Sequence, residues 1–159
     1  KARDISLRTK VRVYETMVLS VLLYNAETWT MKAADESKIR AFEMSVLRRI
    51  CGVSLRDKWR NDDIKALLGI ENDVVERIQR RRLSYFGHVS RMKSDRVPLR
   101  MLNGRIHGNR PRGRPRRNWL DAVEEDCRER HITLLQACRL TEDRGQWQKM
   151  VFGPPRRST

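Results

Sequence analysis

Asp73-Val-Val-Glu-Arg-Ile-Gln-Arg-Arg-Arg-Leu-Ser-Tyr-Phe-Gly-His-Val-Ser-Arg-Met92 reads as one amphipathic helix. Val75, Ile78, Tyr85, Val89 and Met92 return at helical intervals and form the side expected to be buried. Arg77, Arg81, Ser84, His88 and Arg91 share the opposite face, with Arg80 beside them. Gly87 weakens the last turns by about 1 kcal/mol relative to alanine. Arg77, Arg80, Arg81 and Arg82 follow Glu76 with no further acid to pair with at helical spacing. That favours phosphate over a plain solvated face. His88 serves packing or contact equally well.

Upstream, Leu7, Val11, Tyr14, Val18 and Val21 predict a first helix over 6–24. Ile39, Phe42, Val46 and Ile50 predict a second, with Asp35 as its N-cap and Gly52 as its left-handed stop. A short third helix is expected over 61–68, capped by Asn61, with Asp62 and Asp63 complementing the dipole and Gly69 ending it. Downstream the pattern disappears between Lys93 and Asn118, and Gly, Pro and Arg dominate 104–117, as in an extended linker. Helical spacing resumes at Trp119, Val123 and Cys127. Thr133 and Gln136 then have the spacing of a capping box, and Thr141-Glu142-Asp143 marks a last helix start before Trp147 and Val151. No alternating stretch is long enough for a sheet. The expected architecture is all-α, with a helical bundle of about four helices over 1–92, a basic extended linker over 93–118 and a small helical lobe over 119–159. A lobe of about 40 residues buries too little surface to stand alone, so it should dock on the first domain, on a partner or on nucleic acid.

Charge is concentrated in one region. Residues 77–117 carry 14 Lys+Arg against the single acid Asp95, a net +13 of the chain's +15. A near-neutral body interrupted by such a strip calls for a polyanion, because each phosphate contact releases counterions whatever the base sequence. Within the strip, Asn109-Arg-Pro-Arg-Gly-Arg-Pro-Arg-Arg117 contains Arg112-Gly113-Arg114-Pro115, the core of an AT-hook. Glycine lets the backbone lie on the floor of a narrow minor groove, arginines insert along it, and prolines hold the path extended. A proline-stiffened basic linker without a fixed ligand has the same composition. The residues expected to contact nucleic acid are Arg77, Arg80, Arg81, Arg82, Arg91, Arg110, Arg112, Gly113, Arg114, Arg116 and Arg117.

Other chemistry finds less support. Trp29, Trp59, Trp119 and Trp147 are assigned to packing, since tryptophan in a small apolar inventory is more often an anchor than a base-stacking surface. Cys127 and His131 would share a helix face and Cys138 follows, but a fourth zinc ligand at suitable spacing is missing, with His107 in the basic linker. The three cysteines, Cys51, Cys127 and Cys138, fit reduced thiols in an intracellular compartment. Asp35-Glu36, Asp62-Asp63 and Glu124-Glu125-Asp126 are explained by capping and helix dipoles. No phosphate-cradling glycine loop or nucleophile motif is present. No apolar run approaches the ~18 residues of a membrane span, and no membrane partner is expected. A start at Lys1, without methionine, suggests a fragment of a longer protein.

Four ordered blocks carry a family resemblance: Leu22-Leu-Tyr-Asn-Ala-Glu-Thr-Trp29; Ala41-Phe-Glu-Met44 running into Leu47-Arg-Arg-Ile-Cys-Gly52; Arg81-Arg-Leu-Ser-Tyr-Phe-Gly-His-Val89 with Arg91-Met92; and Arg112-Gly-Arg-Pro-Arg116 leading to Trp119 and Asp121. Asp143-Arg144 with Trp147 and Val151 adds a weaker fifth. Together they resemble the C-terminal region, thumb and following segment, of a non-LTR (LINE-type) retrotransposon reverse transcriptase. The resemblance implies a nuclear, helical part that grips template and primer or target DNA, working with the rest of the polymerase chain. It implies no catalysis by this chain alone and no cofactor here, with magnesium expected only in the palm domain, whose aspartate pair is absent. Asn25 stands where the family motif commonly has glycine. The alternative is a domesticated, non-catalytic nuclear interaction protein whose basic tract is AT-hook-like or an import signal.

Overall fold

In a computed structural model of the chain, the described residues are 5–104, 112–113 and 117–153. Their regular structure is entirely helical. They divide into two compact units, Lys1–Ala26 with Met31–Ile78, and Glu27–Thr30 with Gln79–Thr159. The division falls inside the helix Val74–Ser90, not near residue 92, because Leu83 and Phe86 of that helix belong to the second unit's core.

In the first unit, Ser6 caps α1 (Leu7–Val13) by accepting from the Thr9 amide at 3.2 Å. The backbone then widens into a π-helical segment, Tyr14–Val18, before α2 (Leu19–Leu22). There the Leu19 amide donates to the Tyr14 carbonyl, one residue further back than in an α-helix. The extra residue rotates the buried face. Tyr14, Leu19 and Leu23 are buried at steps of five and four, whereas Val21, expected inside, is 77% exposed.

α3 (Ala33–Cys51) and α4 (Asn61–Leu68) follow, each closed by a left-handed glycine, Gly52 at φ +75° and Gly69 at φ +66°. Asp35 is not the cap of α3 but its third residue, accepting from the Lys32 amide at 3.3 Å. Asn61 likewise begins α4 proper, with Arg60 at the cap position. The expected stripe on α3 is displaced: Phe42 is exposed, and Glu43, Met44 and Leu47 are buried. Glu43 accounts for this. Its carboxylate, enclosed with its residue only 1% exposed, accepts from the Tyr14 hydroxyl at 3.0 Å and from the Val74 amide at 3.1 Å. A buried acid that satisfies two donors is invisible to a count of apolar residues. Burial pushes the Tyr14 phenol up, and the Glu43 charge adds to the shift.

The second unit is built on the later turns of α5 (Val74–Ser90). α6 (Val97–Asn103) lies where an extended linker was expected; it has a proline in its first turn and packs Leu102 against the core. α7 (Trp119–Glu129) starts at a reciprocal box in which Asn118 and Asp121 each accept the other's amide at 2.8 Å. α8 (Leu134–Leu140) has the expected Thr133–Gln136 box, at 2.9 and 3.2 Å. α9 (Arg144–Phe152) is capped by Asp143, which accepts from the Gly145 and Gln146 amides.

Leu83, Phe86, Val123, Cys127, Ala137, Trp147 and Val151 form the second unit's core. Gly87 permits its tightest approach. A Cβ there would lie 2.9 Å from Cε2 of Trp147 and nearer still to Nε1 and Cδ1. The indole instead rests on the helix, and its Nε1 donates to the Leu83 carbonyl at 3.1 Å. Residues 27–30 are pinned in the same unit: the Glu27 carbonyl accepts from Trp119 Nε1 and the Trp29 carbonyl from Arg82 Nη1, both at 2.8 Å. Asn25, in the place of the family glycine, has φ +55°, a left-handed conformation that asparagine tolerates.

Candidate nucleic-acid interface

Arg82, the arginine most central to the helical motif, is not at the surface. Its Nε and Nη2 donate to Oδ2 and Oδ1 of Asp126 at 2.6 and 3.0 Å, and both side chains are only 2% exposed. Burial pushes the Asp126 carboxyl up, and the Arg82 guanidinium pulls it back down. The pair cross-links α5 and α7, so Arg82 leaves the set of phosphate contacts. Its enclosure reflects helical geometry: Gln79, Leu83 and Phe86 around it are also buried, and an arginine on that side needs an internal carboxylate.

The remaining predicted residues are distributed unevenly. In the first unit, Arg77 is half-buried and donates to Glu15 at 3.0 Å and to the Asn72 carbonyl at 3.4 Å, so a carboxylate already balances its charge. In the second, Arg80 is half-buried, while Arg81, Ser84 and His88 are exposed, as their spacing requires. Arg91 is exposed and steadied by a 2.8 Å bond to the Thr141 carbonyl. Arg112 and Gly113 are exposed, and Gly113 has φ +109°, a conformation that residues with side chains rarely adopt. Arg117 is exposed and paired with Glu125. Arg110, Arg114 and Arg116 lie outside the described residues.

Spacing missed three further cations. Lys93, Arg96 and Arg100, before and on α6, are exposed, and among the described residues none has a carboxylate partner. They fall within the charge-dense strip, but the interruption in periodicity offers no helix on which to place them. The packing assignment also fails for one tryptophan: Trp147 is buried and Trp29 and Trp119 half-buried, but Trp59 is 44% exposed.

An open groove of about 710 Å³ in the second unit is lined by Phe86, Leu99, Leu102 and Leu120, with Arg91 and Cys138 among its polar residues. Burial pushes the Cys138 thiol up, and pushes Cys127 up to about 12, with the Asp126 charge adding to the latter. Both thiols are therefore protonated at neutral pH. Among the described residues, no three His, Cys, Asp or Glu side chains are grouped to hold a metal ion, so Cys127, His131 and Cys138 do not form such a set. No helix among them is long and apolar enough to cross a membrane. What the surface offers is positive charge on a helical scaffold.

No protein-family model matches the chain, and no solved structure matches it. It is similar to an uncharacterized transposon-derived protein of Caenorhabditis elegans, 26% identical over 152 residues. That alignment takes in 91% of this chain and 54% of the relative, so the chain spans about half the relative's length. The likeness fits a transposon-related origin.

Proposed function

We propose that this chain is the nucleic-acid-gripping C-terminal part of a non-LTR retrotransposon reverse transcriptase, acting in the nucleus on template, primer or target DNA. The observation that carries the reading is the +13 strip over 77–117, whose exposed members include Arg81, Arg91, Lys93, Arg96, Arg100 and Arg112. The ordered family blocks and the transposon-derived relative support it. Polymerase chemistry and its magnesium are assigned to a palm domain of the parent protein, and this chain contributes electrostatic hold. Changing Lys93, Arg96 and Arg100 together to glutamine should weaken binding to every duplex, because phosphate contacts carry no sequence information. Changing Arg112 and Arg114 to alanine should weaken adenine-thymine-rich duplex selectively. Unchanged affinity in both variants would contradict the reading.

A protein-docking role is favoured by a different observation. Val13, Met17, Val21 and Tyr24, from the end of α1 through the π-helical segment and α2 to the turn after it, are 48, 65, 77 and 80% exposed, apolar surface that suits a protein neighbour. Within the proposed function that neighbour is the rest of the polymerase chain. In the domesticated-protein reading it is another protein, and nucleic-acid affinity at physiological salt is then negligible.

A further inference from the structure

Arg56-Asp57-Lys58-Trp59-Arg60 joins α3 to α4 within the first unit and lies outside the 77–117 strip. Three cations alternate here with one acid and one tryptophan. Arg56, Lys58 and Arg60 are exposed; Trp59 is 44% exposed and Leu55, just before it, 78%. An indole left this open between cations is an unusual use of a residue that ordinarily anchors cores.

The turn is held in shape. A 3-10 helix, Leu55–Asp57, opens with Asp57 Oδ2 accepting from the Ser54 amide at 2.6 Å and the Ser54 hydroxyl at 2.9 Å. Those bonds draw the Asp57 carboxyl below the usual carboxylate range and occupy the one acid of the segment. Lys58 then takes a left-handed conformation, φ +54°. From the last turn of α3, Arg48 Nη2 donates to the Trp59 carbonyl at 3.4 Å and to Asn61 Oδ1 at 2.6 Å, tying the tryptophan's carbonyl and the first residue of α4 to α3. The backbone of the turn is thus held before any ligand arrives, which lowers the entropic cost of binding.

We propose that this turn is a second nucleic-acid contact, specific for single strands: an unpaired base stacks on Trp59 while Arg56, Lys58 and Arg60 engage the flanking phosphates. A flat aromatic beside cations suits any base and needs an unstacked one, which a duplex does not offer. The idea rests on the nucleic-acid reading above but uses different residues, so the two can fail separately.

The test uses the full chain, a thymidine oligonucleotide of about 16 nucleotides, and a duplex of equal length. Trp59→Ala should weaken single-strand binding about 5- to 150-fold and leave duplex binding unchanged; Trp59→Phe, which keeps an aromatic face, should retain most of the affinity. An unchanged circular dichroism spectrum, expected for so exposed a side chain, shows that the variants are folded. Three results would overturn the proposal: no effect of Trp59→Ala, equal loss on both ligands, or a phenylalanine variant as weak as the alanine one. Duplex binding that depends on the strip while Trp59 is silent sinks only this site. Absence of binding to either ligand sinks both readings.

Discussion

Replacing Gly87 with alanine sets two effects of known size against each other. On helix propensity alone the change stabilises α5 by about 1 kcal/mol. Packing opposes it. The new methyl would lie 2.9 Å from Cε2 of Trp147 and nearer to Nε1 and Cδ1, on a residue only 1% exposed and wedged beside Phe86, ring centroids 5.9 Å apart. The indole must move, at about 1–3 kcal/mol for overpacking, and its Nε1 then loses the Leu83 carbonyl, leaving a buried donor at about 1–3 kcal/mol. The net expectation is a loss of about 1–5 kcal/mol. Because the chain has two compact units, one global melting temperature is a poor readout. Native-state hydrogen exchange of the amides in α5 and α9 reads the affected region directly. Exchange should accelerate there, and the alanine penalty should shrink in a Trp147→Phe background. Slower exchange in Gly87→Ala would refute the close approach of Trp147 to α5.

Two further predictions concern the interior. Arg82→Ala should cost about 3–5 kcal/mol by stranding Asp126, whereas Arg82→Met combined with Asp126→Leu should be nearly neutral or stabilising, both read by the same exchange experiment. The Cys127 thiol is raised from 9.0 to about 12, so its contribution to stability is complete below the ordinary thiol range and is lost as pH rises from about 9 to 12. Denaturant unfolding across that window should show declining stability, with a shallower decline in Cys127→Ala; an unchanged slope would refute the assignment.

Much of the helical framework was legible because local signals fixed it. Gly52 and Gly69 stop helices, and Thr133 and Gln136 start one, whatever surrounds them. What periodicity could not supply was rotation. One extra residue at Tyr14–Val18 turned Val21 outward, and the buried acceptor Glu43 turned α3. In the candidate site, charge density located the strip, and spacing correctly exposed Arg81 and His88. Spacing could not show that Arg82 has an internal partner 44 residues away, since Asp126 read as part of a polar run. Nor could it show Trp59 outside the core, because exposure depends on what the fold fails to cover.

Whether the strip grips phosphate is read from the salt dependence of duplex binding. If Arg91, Lys93, Arg96, Arg100 and Arg112 each neutralise one phosphate, log affinity should fall against log salt with a slope of about −4.5. A slope shallower than about −1 would mean that fewer than two phosphates are engaged, and would contradict the account.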